Sequence, residues 1–107
     1  MTKTLGNSES RAGRRAAQRF AQELASGALL RRTARIEAVV HAARAEPVFL
    51  LEAALRSAWS RALGGIRLGE ITWAANSAEG APQMQLQAFD AEGQLLLRSV
   101  YDAEVLS

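Results

Sequence analysis

The chain contains no cysteine, which excludes a disulfide framework and any thiolate-bound metal and leaves packing as the source of stability. Histidine occurs once, at His41, and one imidazole cannot build a metal centre without other ligands, so no cofactor is expected. There is no glycine-rich loop running from a strand into a helix: Gly64-Gly65-Ile66-Arg67-Leu68-Gly69 leaves a helical pattern for a strand pattern, the wrong direction for holding phosphate on a helix dipole. No apolar run approaches the roughly 18 residues of a membrane span, and the opening MTKTLGNSES lacks the apolar stretch of a secretory signal. These absences predict a cytoplasmic protein with no membrane partner. Lysine is nearly absent as well. One lysine stands against twelve arginines, a bias common where bacterial or phage coding is GC-rich.

What is present is ordinary globular material: 107 residues, 49% hydrophobic and 22% charged. That length holds one modest core, so a single domain over residues 10–107 is expected behind a flexible polar lead-in at residues 1–9. The net charge of +2 hides an uneven distribution. Residues 1–65 carry 11 basic and 5 acidic side chains, whereas residues 66–107 carry 2 and 6, a polarity that steers partners of opposite sign to the two parts.

Apolar residues first recur at helical spacing. Ala17, Phe20, Ala21, Leu24 and Ala28 mark one face of a helix from about residue 10 to 26, with Ser26-Gly27 as its stop. Leu29, Ile36, Val40 and Ala43, with Thr33, give a second stripe over residues 29–45, either a separate helix or a continuation of the first. Glu46-Pro47 breaks it. Val48, Leu51, Leu55, Ala58, Trp59 and Ala62 then line a further helix over residues 47–63, its apolar face widened by Phe49 and Leu50 and its end marked by Gly64-Gly65.

After Gly65 the period changes to two. Ile66 and Leu68, then Ile71 and Trp73, alternate around Gly69, where the phase slips as a bulge requires. Residues 76–82 read as a loop. Met84 to Ala88 alternate as a strand, Asp90-Ala91-Glu92-Gly93 supplies turn chemistry, and residues 95–105 return as its partner. The fold class expected is α+β: two or three N-terminal helices followed by a three-stranded antiparallel meander, with the helices on one face.

Catalytic constellations are few. Glu37 and His41 lie one helical turn apart if residues 29–45 are helical, and Glu70, Asp90, Glu92, Asp102 and Glu104 gather around the strands. Turn chemistry and solvated edges account for these acids, so no catalytic residue is assigned and no enzyme is expected. Surfaces carry the functional expectation instead. Trp73, Phe89, Leu96 and Val100 are read as an apolar sheet face left bare by the helices, suited to a protein partner or a homodimer seam. The function expected is that of a small non-enzymatic binding or regulatory protein, an inhibitor or adaptor of bacterial or phage type. The alternative is nucleic-acid binding through an arginine-rich helical face, with Arg11, Arg14, Arg15 and Arg19 on the first helix and Arg31, Arg32 and Arg35 opening the next.

Overall fold

The computed structural model describes residues 3–43, 45–62, 66–75 and 82–102. Two helices pack against each other and against one face of a four-stranded mixed sheet, an α+β arrangement. Helix α1 spans Lys3–Ser26, so residues 3–9 are helical rather than the lead-in expected from their composition. It buries Ala12, Ala16, Ala17, Phe20 and Leu24 at spacings of three and four. Its end is a Schellman motif. The Leu29 amide donates to the Leu24 carbonyl at 2.8 Å and the Ala28 amide to the Ala25 carbonyl at 3.1 Å, with Ala28 at φ 56°. The left-handed position therefore falls on Ala28, one residue after the glycine that the sequence offers as a stop.

The segment expected as a second helix is not helical. Leu30–Arg32 forms one 3-10 turn, closed by Thr33, whose hydroxyl donates to the Leu29 carbonyl at 2.9 Å. Strand β1 follows at Arg35–Ala42, with Ile36, Ala38, Val40 and Ala42 buried and the residues between them turned the other way. Leu29, Ile36, Val40 and Ala43 fit a helical stripe, but the buried set repeats every second residue. The β-branched Ile36, Val39 and Val40 favour the pleated surface.

Helix α2, Ala45–Ala62, buries Val48, Leu51, Leu55, Ala58 and Trp59, as its periodicity predicts. Phe49 does not widen that face; it is 67% exposed. Gly13 of α1 sits at the crossing of the two helices, where a Cβ would stand 2.7 Å from the Ala54 Cβ. Small residues there permit close backbone approach.

Strands β2 (Arg67–Ala75), β3 (Gln83–Phe89) and β4 (Leu95–Asp102) complete the sheet. Its order is β2-β1-β3-β4, with β1 and β2 parallel and the other two pairs antiparallel. This corrects the expected three-stranded meander: β1 separates β2 from β3, and α2 is the crossover that parallel neighbours require. The register between β1 and β2 slips between Ile36↔Leu68 and Ala38↔Ile71. Gly69 and Glu70 thus oppose Glu37 alone, the bulge that the phase slip anticipates. The β3–β4 hairpin also matches its expectation. Gly93 takes φ 85°, and the Asp90 carboxylate accepts the Glu92 and Gln94 amides at 2.9 and 2.8 Å. One core joins Phe20, Leu24, Ile36, Val40, Leu51, Leu55, Met84 and Leu86, all fully buried between helices and sheet.

Candidate functional site

The sides of α1 have opposite chemistry. Its small and apolar residues face α2 and the sheet, so Arg11, Arg14, Arg15, Gln18, Arg19 and Gln22 are left exposed on the outer side. Arg11, Arg14, Arg15 and Gln18 line a shallow concavity of about 360 Å³. Among the described residues the ion pairs are Arg35 with Glu37 at 3.1 Å and Arg56 with Glu52 at 3.8 Å. None of the α1 arginines takes part in either. Arg31 and Arg32 are exposed on the 3-10 turn. Arg35, expected beside them at a helix start, instead lies on β1, engaged by Glu37 and stacked over the Phe89 ring at 4.9 Å.

Toward its C-terminal end α1 meets β4. The Ser99 hydroxyl donates to Glu23 Oε1 at 2.8 Å, and the Tyr101 hydroxyl donates to Glu23 Oε2. Arg19, Gln22, Glu23, Ser26, Leu97 and Tyr101 border a shallow groove of about 650 Å³ above this contact. Burial of the Tyr101 phenol, and next its hydrogen bond to Glu23, push its pKa well above the ordinary 10.0. The phenol stays protonated, and both hydroxyls are spent on one carboxylate. The cluster is a clasp between helix and edge strand, which the sequence does not announce because its members lie 76 and 78 residues apart.

The second face of the sheet has no helix over it among the described residues. Register and the alternating burial place Arg35, Glu37, Val39 and His41 of β1 there, with Gln83, Gln85, Gln87 and Phe89 of β3 and Arg98 and Val100 of β4. Its centre is therefore polar, and the apolar content gathers beside β4. Val100 is 55% exposed, and Leu95, the cross-strand neighbour of Phe89, is 48% exposed.

The four residues expected to form one bare face are thus divided. Phe89 and Val100 lie on it. Leu96 packs against the core with Leu97, because the register slip between Ala88 and Phe89 makes Leu95 rather than Leu96 the partner of Phe89. Trp73 pairs in register with Val40, on the helix side of the opposite edge, and its indole donates to the Ala42 carbonyl at 2.9 Å. Sequence reasoning missed Leu95, which only the bulge brings to this face.

The Glu37–His41 pair does not form. On a strand, four residues span about 13 Å, and Glu37 takes Arg35 while His41 stands opposite Gln83. Of the acids around the strands, Asp90 organises its own turn, and Glu104 lies outside the described residues. Among the described residues no group of three His, Cys, Asp or Glu side chains stands where it could hold a metal ion, and no helix is long and apolar enough to cross a membrane. No protein-family model matches the chain, and no curated protein matches it in sequence.

Proposed function

We propose that the protein is a small non-enzymatic binding protein that engages a protein partner, or its own second copy, through the β4 side of its sheet. The observation that carries this reading is an eight-residue edge strand bearing exposed Leu95 and Val100. Among the described strands β4 pairs with β3 alone. Among the described residues the outer edge of β4 from Leu95 to Val100 offers its amides and carbonyls to an incoming strand, and flanking apolar side chains supply the area that makes strand addition stable. Phe89, its ring covered by the Arg35 guanidinium, borders this patch on the neighbouring strand. Arg98, between Leu96 and Val100 in sequence, is the charged residue that discourages indiscriminate pairing along the edge. A contact surface of this kind suits an inhibitor or adaptor.

Sedimentation tests the reading directly. Self-association is expected at micromolar to submillimolar concentration, and Val100→Glu should shift the protein to monomer because a carboxylate cannot be buried cheaply in such a seam. Association that survives both Val100→Glu and Leu95→Glu would remove β4 as the contact.

A further inference from the structure

We infer that the outer face of α1 binds the phosphate backbone of double-stranded nucleic acid, a function separate from the β4 contact. Four guanidinium groups stand on that face, all exposed and none within ion-pair distance of a carboxylate among the described residues. Among the described residues Arg35 and Arg56 each have a glutamate, whereas Arg11, Arg14 and Arg15 gather round one concavity that no carboxylate lines, and only Arg19, at the far end of the row, has an acid, Glu23, one turn away. The helical rise of about 1.5 Å per residue sets Arg11, Arg15 and Arg19 about 6 Å apart along one row, with Arg14 beside it. Neighbouring charges therefore lie inside the screening length of about 8 Å at physiological salt. They repel one another, and a row of phosphates relieves that repulsion.

The chemistry of the face selects among polyanions. Guanidinium forks match phosphate oxygens two at a time. Gln18, exposed between Arg15 and Arg19, and Gln22, exposed just beyond Arg19, add neutral donors of the kind that contact nucleic-acid backbones. No aromatic residue occurs among the outward positions 11, 14, 15, 18, 19 and 22, so the face has no platform on which single-stranded bases stack. No large apolar residue occurs there either, and a bilayer surface takes up a helix through such residues. A regular duplex backbone, which asks only for spaced positive charge and hydrogen-bond donors, is the occupant that fits.

The probe is a fluorescent 20-base-pair DNA duplex titrated with the full-length protein at NaCl concentrations from 50 to 200 mM. Three to four neutralised phosphates, at about −0.9 in log–log slope for each, weaken binding about 40- to 150-fold across that range. Arg11→Gln/Arg15→Gln/Arg19→Gln should flatten the slope by two to three units with an unchanged melting temperature. The corresponding triple lysine variant should keep the slope, and Arg56→Gln, on α2, should leave binding as in the wild type. Absence of binding at 50 mM NaCl would overturn the proposal, as would a slope untouched by the glutamines. Tighter binding to the single strand than to the duplex would overturn it also, and so would capture by phosphatidylserine vesicles that the duplex cannot reverse. None of these readouts depends on self-association through β4, which sedimentation scores separately.

Discussion

Tyr101, on the edge strand, donates its hydroxyl hydrogen to the carboxylate of Glu23, 78 residues earlier on α1. The bond closes the molecule between its first helix and its last described strand, and it has a pH signature.

The Tyr101 pKa is raised first by burial and then by the Glu23 hydrogen bond. A phenol whose pKa is higher in the folded than in the unfolded state contributes its full stability below about pH 10, where the unfolded chain's tyrosine ionises, and loses that contribution progressively above it. Tyr101 is the chain's single tyrosine, so phenolate absorbance reports this site alone. The folded protein should begin to show phenolate only well above pH 10, with melting temperature falling as the medium becomes more alkaline, whereas the urea-unfolded chain should titrate near 10. Phenolate appearing near pH 10 in the folded protein would show that the hydroxyl is not held as described.

Ala28 occupies the left-handed position of the α1 cap at φ 56°. An L-residue there costs roughly 1–2 kcal/mol that glycine does not bear. Ala28→Gly should raise stability by about 0.5–1 kcal/mol, some of the gain being returned through the greater entropy of the unfolded chain. Urea denaturation measures it, and destabilisation would argue for a different helix end.

Gly13 stands where α1 crosses α2, with the Ala54 Cβ 2.7 Å and the Leu51 carbonyl oxygen 3.2 Å from the place a methyl group would take. Helix propensity alone would make Gly13→Ala stabilising by about 1 kcal/mol. The contact reverses the sign: neither neighbour is a flexible chain end, so the helices must separate, and a net loss of about 1–3 kcal/mol is expected. Adding Ala54→Gly should recover part of that loss relative to its cost in the wild type. Additive effects in the double-mutant cycle would mean that the two positions do not touch.

Elements with one strong local period were legible in the sequence. Leu51, Leu55 and Trp59 of α2 and Met84, Leu86 and Ala88 of β3 each follow a single repeat, and the hairpin between β3 and β4 announces itself through Asp90 and Gly93. β1 was not legible, because Val39 interrupts the polar half of its alternation and because Ala38 and Ala42 carry no strand preference. Leu29, Ile36 and Val40 therefore satisfied a helical template equally well. The parallel pairing of β1 with β2 leaves no local mark at all, since partners such as Val40 and Trp73 are 33 positions apart. For the candidate surfaces, the α1 arginine row followed from spacing alone. The sheet face did not, because a bulge reverses the parity on which the assignment rests and the one at Leu96 has no mark within Leu95-Leu96-Leu97. That slip exchanges Leu96 with Leu95, whereas the slip at Gly69 was legible and only the pairing of β2 with β1 shows that it puts Trp73 on the helix side.

The position of β1 inside the sheet also orders events in time. Of the four described strands it is the first to leave the ribosome, yet both of its neighbours are made later, β2 after the whole of α2 and β3 later again. Its hydrogen-bonding edges have no partner until residue 75 has emerged on one side and residue 89 on the other. The β3–β4 hairpin pairs locally and forms on a microsecond scale without help from the rest of the chain. The distant joining of β3 to β1 must instead close a loop of more than forty residues, with the loss of chain entropy that slows folding. A nascent chain halted before β3 would present β1 with at least one open edge, so for this topology exposure to aggregation begins with the synthesis of β1, is halved by β2 and ends only with the arrival of the hairpin.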